Sequence, residues 1–491
     1  MTLLDNYFQV TPPNGRQSSA IAYLAALDHL HANCPDVARA IIQELRDQRS
    51  YLKLIASENY SSLAVQLAMG NLLTDKYAEG YAHHRFYAGC ENVDAIEEYA
   101  QLLLKQLFGA DAAYAQPHSG ADANLVAFWA ILVQRVQNAE VERLGHKSVD
   151  ELSPEEYERV RQLIVSQKLM GLSLNSGGHL THGYRHNISS KIMQSVSYDV
   201  DPATEQLDYA ALRDQAIREK PAILLAGYSA YPRLINFAVM REIADAAGAV
   251  LMVDMAHFAG LVAGKVLCGD YDPVPHAHIV TSTTHKTLRG PRGGIVLCSK
   301  EYADIVNKGC PLVLGGPLPH VMAAKAVAFK EALSDDFKNY ARQIVVNCKA
   351  LAARFQARGV RLVSGGTDNH LLVMDLTSFG ITGRQAEALL RQAFLTVNRN
   401  AIPFDRNGSW YTSGLRLGPA ALTSRGMGCA EMEQIADLTV ELLAKAKPAI
   451  TSSGEPSKVK VDIAPEVVTE IQDAVKELLG NFPLYKELLI I

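Results

Sequence analysis

Between residues 169 and 298 the chain repeats one rhythm. Short apolar runs at 169–174, 222–226, 249–254, 278–283 and 294–298 alternate with polar stretches, several closed by Gly, Pro or Ser, and 240–247 between two of them has helical spacing. Runs of this length between turn formers read as strands, and strand–helix–strand alternation points to an α/β fold with a mostly parallel, mixed sheet covered by helices. Upstream, 91–108 reads as a helix ended by Gly109, and 121–133 as a helix that follows the turn His118-Ser119-Gly120. Beyond about residue 335 the texture changes to longer helical patterns at 336–358, 383–393, 429–446 and 465–479, with strand candidates at 360–363 and 370–375. That is the pattern of a smaller α+β unit. Residues 1–35 form a polar start containing Pro12-Pro13-Asn14-Gly15, and Asp36 opens a helical pattern to about Tyr51. The division that follows is an N-terminal arm (1–50), a large α/β domain (51–335) and a small C-terminal α+β domain (336–491).

One segment of the large domain stands apart. Residues 134–168 are polar and charged, with Ser153-Pro154-Glu155-Glu156 forming a capping box that opens a helix to about Ser166. It reads as a helical insert, either a plain surface excursion or a partner-binding element.

Composition excludes several classes. The 491 residues are 48% hydrophobic and 20% charged with a net charge of −5 and no Lys/Arg-rich block, so neither disorder nor nucleic acid as the main partner is expected. The longest apolar run, 125–133, is about half a membrane span, and no membrane association is expected. The opening MTLLDNYFQVTPPNG lacks a basic stretch followed by an apolar one, so no secretory leader is expected. The seven cysteines are scattered and contain no C-x-x-C, which reads as free thiols in a reducing, cytoplasmic setting. The histidine pairs His83-His84 and His276/His278 lack ligand spacing, and no metal site is expected.

Five segments carry chemistry. In the segment from Thr281 to Gly294 a strand ends in small hydroxyl residues and runs into His285-Lys286 and then Gly, Pro and Arg. A lysine there suits a Schiff base, its ammonium moved toward neutrality by burial and by cations such as His285 or Arg292; it equally fits a surface lysine in a basic turn. Thr283 can offer a hydroxyl to a phosphate, and Gly293-Gly294 lets backbone approach a ligand. Asp254 ends an apolar strand, where a carboxylate needs a cationic partner: a buried arginine, or the pyridinium nitrogen of pyridoxal phosphate. Ser119 and the N–H groups after it, at a helix start, make an anion site. His179, after two glycines, is placed to stack on a flat ring or to be structural. Arg416, in Ser413-Gly-Leu-Arg-Leu417, can clamp a carboxylate or form an ordinary ion pair.

In order along the chain, Leu54-Ile-Ala-Ser-Glu-Asn59, Asp75-Lys-Tyr-Ala-Glu-Gly-Tyr81, Arg85-Phe-Tyr-Ala-Gly-Cys90, the Gly177-Gly-His-Leu-Thr-His-Gly183 block, Val253-Asp-Met-Ala-His257 and Thr284-His-Lys-Thr287 resemble the serine hydroxymethyltransferase family over roughly residues 36–450. The resemblance implies a pyridoxal-phosphate-dependent transferase of fold type I. Such an enzyme interconverts serine plus tetrahydrofolate with glycine plus methylenetetrahydrofolate in one-carbon metabolism, and works as a homodimer with shared sites. It implies Lys286 as the Schiff-base lysine, Asp254 at the pyridinium nitrogen, His179 on the ring face, His257 and Ser229 near the ring oxygen, and Ser119 and Gly120 at the phosphate. Tyr77, Gly315 and Gly316 would reach the phosphate from the neighbouring subunit. Arg416 would hold the amino-acid carboxylate with Ser57 and His257. Glu79 of the neighbour would be the acid/base, with Tyr87 beside the substrate. The catalytic set is then Lys286, Glu79, Asp254, His257, Thr283 and Tyr87, and Leu174, Gly178, Leu180 and Asn400 would line the folate site.

The chain departs from the family pattern at Ala121, where a second serine often contacts the phosphate, at Leu312-Val-Leu314, and at Gly418-Pro-Ala-Ala421. Two other readings compete. One keeps pyridoxal phosphate and drops folate, as an aldolase of 3-hydroxy amino acids or an alanine racemase; the other is a non-catalytic binding protein.

Overall fold

The computed structural model describes residues 2–490. Seven strands form the central sheet: β1 (Ala112–Tyr114), β2 (Lys168–Leu172), β3 (Gln194–Tyr198), β4 (Ile223–Gly227), β5 (Val250–Asp254), β6 (Ile279–Thr283) and β7 (Gly294–Cys298), in the order β1-β7-β6-β5-β4-β2-β3. Strands β2 to β6 pair in parallel, and β7 runs antiparallel between β6 and β1. The expected α/β architecture with a mostly parallel sheet is borne out. Every residue of β4 to β7 is buried, the signature of a sheet covered on both faces. Alternate residues feed different cores, as the two-residue strand period requires. Leu224, Leu251, Val253, Val280 and Ile295 enter one; Ile223, Val250, Met252, Ile279 and Val296 enter the other.

Register sets where the chemistry sits. Gly227 pairs with Asp254, Asp254 with Thr281, and Thr283 with Gly294, so polar residues emerge together at the carboxyl ends of the parallel strands. Ligands bind at that edge in open α/β sheets. Gly227 has φ +122°, and a Cβ there would lie 2.1 Å from the Asp254 carbonyl oxygen, so only glycine lets β4 end so close to β5.

A second core surrounds a three-stranded antiparallel sheet in the order β8-β10-β9: β8 (Leu372–Asp375), β9 (Asn398–Asn400) and β10 (Gly414–Leu417). Leu52 and Leu54 pack into this core although they precede the large sheet in sequence. The two cores share the helix Asp335–Ala357. Its first half sends Phe337, Ala341 and Ile344 into the first, and its second half sends Leu351 and Phe355 into the other.

Several local expectations needed revision. The polar start contains helices Leu3–Val10 and Ser18–Asn33, whose Tyr7 and Leu24 are buried against Leu484 and Leu488 from the far end of the chain. Segment 360–363 is not a strand: Leu362 makes one bridge to Met374 before the chain turns at Val363–Gly365. A ribbon of Lys447–Ile450 with Pro456–Asp462 was not anticipated. The helix Gly120–Leu132 runs on through a π-type turn to Arg143, so its sequence signal ended before its structure did. The capping box at Ser153 is present: Ser153 Oγ accepts from Glu156 N, and Glu156 Oε2 accepts from Ser153 N at 2.9 Å.

The C-terminal segment is clasped by one side chain. Arg49 donates to the carbonyls of Leu484, Tyr485 and Leu488 at 2.9, 2.7 and 2.8 Å. Loss of these three charged hydrogen bonds predicts that Arg49→Met costs about 2–5 kcal/mol locally. Limited proteolysis read by mass spectrometry should then release the chain end beyond Asn481 while the two cores stay intact.

Candidate active site

A cavity of about 500 Å³ opens at the carboxyl edge of the large sheet. It is lined from both bodies. The large sheet and its loops contribute Ser119, Gly120, His179, Ser229, Asp254, His257, Thr283 and Lys286; Ser57 and Arg416 come from segments held by the second core. These are ten of the residues singled out in the sequence, gathered from positions 57 to 416.

Asp254 anchors the deep end. Its Oδ1 accepts from Ala256 N at 3.0 Å, and its Oδ2 from Asn124 Nδ2 at 2.9 Å, with His182 Nε2 at 3.2 Å. Burial opposes its ionisation, but the hydrogen bond and charge of His182, with His179 and Lys286, hold its carboxyl well below the usual range. It therefore stays charged. Asn124 is itself oriented by Thr181 and Thr281, its Oδ1 accepting from Thr281 Oγ1 at 2.5 Å. Sequence reading missed Asn124 and His182. His182 was legible as the second histidine of its glycine-rich block; Asn124 carried no signal beyond its place on the helix after Ser119.

His179, His182 and Asp254 present ligand atoms within 4.8 Å of one another. Asn124, His182 and a backbone N–H use three of the roughly four acceptor sites of the Asp254 carboxylate, and His179 Nδ1 accepts from Thr181 N at 3.2 Å. These hydrogen bonds orient the carboxylate and the two imidazole rings. Burial brings His179 down to about 4, so it is neutral and flat at pH 7.

Lys286 follows β6 in a turn, its carbonyl accepting from Asn59 Nδ2 at 2.9 Å. Burial lowers its amine to about 8; Asp254 opposes this, and Arg416 and Arg292 add to it. His285 is not one of those cations, contrary to expectation. Burial, with Arg292 and Lys286 nearby, brings it down to about 3 and keeps it neutral. Thr283 Oγ1 donates to the Ala256 carbonyl at 3.3 Å, while Ser119 Oγ accepts from Asp122 N and donates to Asp122 Oδ2. Ser119 is thus the N-cap of Gly120–Leu132, whose macrodipole and first N–H groups face the cavity.

Arg416, on β10, is buried. Its guanidinium donates to the Ser229 carbonyl at 2.7 Å and to Asn398 Oδ1 at 3.0 Å, with Ser57 Oγ and His257 Nε2 each at 3.5 Å. Burial lowers it only to about 10, so it remains a cation. Among the described residues no carboxylate is paired with it. His257 Nδ1 lies 3.2 Å from His370 Nε2, and burial with the charges of Lys286 and Arg416 keeps His257 neutral.

A second cavity of about 250 Å³ adjoins the first, sharing His179, Ser229 and Arg416, and is lined by Leu174, Gly178, Leu180 and Asn400. The four residues expected at a folate site therefore lie together beside the main cavity.

The family model described as serine hydroxymethyltransferase covers residues 30–149 and 155–439. The chain belongs to the serine hydroxymethyltransferase family. It is 59% identical over 482 residues to a protein of that name from Treponema pallidum, covering 98% of this chain and 84% of that one. A namesake from Chlamydia muridarum is 54% identical over 489 residues, covering 99% and 98%. One from Mycolicibacterium smegmatis is 56% identical over 468 residues, covering 95% and 94%. The family match takes in all of the 134–168 segment except residues 150–154.

Five residues marked by the family resemblance lie outside both cavities of the single chain: Tyr77, Glu79, Tyr87, Gly315 and Gly316. They gather elsewhere. The Tyr77 and Tyr87 rings meet edge to face at 5.0 Å, and a Cβ on Gly316 would lie 3.1 Å from the Tyr77 ring. Glu79 sits in a short hairpin whose backbone is gripped by Arg85, which donates to the carbonyls of Ala78 and Gly80 at 3.0 and 2.9 Å and pairs with buried Asp94 and Glu97. Arg85 was quoted in the sequence for its motif alone; its grip on the Glu79 hairpin needed the fold.

The Lys286 amine gives a pH prediction. Its folded value of about 8 lies below the ordinary 10.5, so the folded chain releases this proton first and gains stability as pH rises between those values. Reductive methylation of Lys286, followed by mass spectrometry in the absence of added ligand, should titrate near pH 8. In Asp254→Asn, which removes the anion that holds the proton on, the midpoint should fall. A midpoint above 10 in the unaltered chain would contradict the burial argument.

Proposed function

We propose that the main cavity holds pyridoxal phosphate and takes serine or glycine, with tetrahydrofolate in the adjoining cavity. Membership of the serine hydroxymethyltransferase family makes the chain a transferase that interconverts serine and glycine. The cofactor, the folate and the role of each residue are our reading. The observation that carries it is Arg416: a buried cation with no carboxylate partner among the described residues, opening on the cavity that also holds a lysine drawn toward neutrality. A buried guanidinium left unpaired is costly, and an amino-acid carboxylate is the partner its fork fits.

The donor set fits the cofactor. Asp254, ionised and hydrogen-bonded on both oxygens, suits a pyridinium N–H; neutral His179 suits a ring face; the N-terminus of Gly120–Leu132, with Ser119 and Gly120, suits a phosphate. When bound, the cofactor supplies an electron sink for negative charge at the amino-acid Cα. The protein's own residues do the rest. Lys286 would hold the aldehyde end of the cofactor through its Nζ, and with its proton affinity lowered by burial it would move a proton at the amino-acid Cα. Arg416 with Ser57 fixes the carboxylate, and this orients the Cα bond to be broken. Ser229, Thr283 and His257 bound the ring edge, with His257 held neutral against His370. Glu79, from a second copy of the chain, exchanges a proton at the serine hydroxyl oxygen, with Tyr87 beside it. Leu174, Gly178, Leu180 and Asn400 receive the pteridine.

A homodimer is part of this reading. Leu72 is 90%, Tyr77 57%, Phe86 68% and Leu312 64% exposed, around the patch that carries Glu79, Gly315 and Gly316. The single chain exposes 21166 Å², against about 18,000 Å² for a compact monomer of this mass. The excess is what a protomer that buries a large face would show. Cytoplasmic residence fits the free state of all seven cysteines, and among the described residues no helix is long and apolar enough to cross a membrane.

Two experiments test the reading. Arg416→Lys, which loses the fork, should raise KM for serine by about 100-fold with a smaller effect on kcat; an unchanged KM would remove Arg416 from the substrate. Mixing inactive Lys286→Ala with inactive Glu79→Gln should restore activity, about a quarter of the original if subunits exchange at random, because half the dimers then hold one intact shared site. No restoration under verified exchange would overturn the shared site. Requiring tetrahydrofolate for serine cleavage in both assays separates hydroxymethyl transfer from folate-independent aldol cleavage.

A further inference from the structure

Lys325 sits in the helix Pro319–Ala332, on its sheet-facing side, and is 1% exposed. Its ammonium donates to three backbone carbonyls: Ala115 at 2.6 Å, Pro117 at 2.9 Å and Gly294 at 2.8 Å. Among the described residues no carboxylate forms an ion pair with it. Burial brings it down to about 7, opposed by the more distant charges of Glu97 and Asp122. Those two acids are engaged elsewhere, Glu97 with Arg85 and Asp122 with Ser119. A cation buried among carbonyl dipoles alone is costly unless another anion completes its field.

The three carbonyls belong to the two segments that make the anion end of the cavity. Ala115 and Pro117 lead into Ser119-Gly120, and Gly294 follows Gly293 at the start of β7. Gly294 N donates to the Pro117 carbonyl at 2.9 Å, and a Cβ on Gly294 would strike the Ser119 carbonyl, so the segments are locked face to face. Lys325 holds the carbonyls of Ala115 and Pro117, in the chain that leads into the Ser119-Gly120 loop, together with that of Gly294 on the facing segment.

We infer that Lys325 is a positioning residue for the cofactor phosphate, orienting the Ser119-Gly120 loop from beneath and setting a buried positive charge behind it. The inference rests on the proposed cofactor. It assigns the phosphate end of the site a charge that lies in none of its lining residues and that the sequence patterns did not mark.

The test compares a ligand with and without the phosphate. Dissociation constants of the full-length protein for pyridoxal 5′-phosphate and for pyridoxal are measured by absorbance titration. The unaltered protein should prefer the phosphorylated form; if it does not, the cofactor reading itself fails. Lys325→Met, which keeps the side-chain length but removes the charge, should lose about tenfold or more in affinity for pyridoxal phosphate, equivalent to about 1.4 kcal/mol. Its affinity for pyridoxal should change little. A merely structural lysine would weaken both ligands alike. Should Lys325→Met fail to fold, Gly293→Ala decides, because its Cβ would fall 2.4 Å from Lys325 Cε and push the ammonium off its carbonyls. Either folded variant keeping the full preference for the phosphorylated ligand overturns the inference.

Discussion

The buried charge on Asp254 is the interaction around which this molecule is arranged. An ionised carboxylate in a sheet core survives only if its oxygens are hydrogen-bonded and cations lie near. Asn124, His182 and the Ala256 N–H meet the first need and Lys286 helps meet the second. Meeting them ties together the helix after β1, the loop after β2, the end of β5 and the turn after β6. Four separate segments are thereby fixed around one atom group, and the cavity between them has little freedom in shape.

The second body completes the site by bringing in what the first lacks. Arg416 stands on β10 and donates to the Ser229 carbonyl in the loop after β4, so the two bodies meet through a guanidinium. The helix Asp335–Ala357 carries packing from one core to the other without a break, and His257 from one body meets His370 from the other at 3.2 Å.

The residues outside the cavity follow the same logic at a larger scale. Glu79 is held in a short hairpin by Arg85 and its two buried acids, yet lines neither of the two cavities described above. An organised polar group surrounded by exposed aromatic rings makes physical sense as half of a site. The apolar rings would be covered by a second copy, and the carboxylate would be delivered by it.

The sequence by itself determined a good deal. Strand and helix rhythm set the α/β class because local period and turn formers act over a few residues. Lys286, Asp254, His179 and Arg416 stood out as candidates from their strand ends and glycine-flanked turns, each beside a structural alternative, and only the family resemblance gave them roles. Other features had no local signal. The helices of the first 35 residues are stable through Leu484 and Leu488, far away in sequence. The strand expected at 360–363 yields to a turn at Ser364, whose carbonyl and hydroxyl bind Arg233. Asn124, His370 and Lys325 look like ordinary helix or loop residues until folding places them behind the cavity. Tertiary structure alone decided which polar groups are buried together, because the cost of burying a charge depends on partners brought from distant parts of the chain.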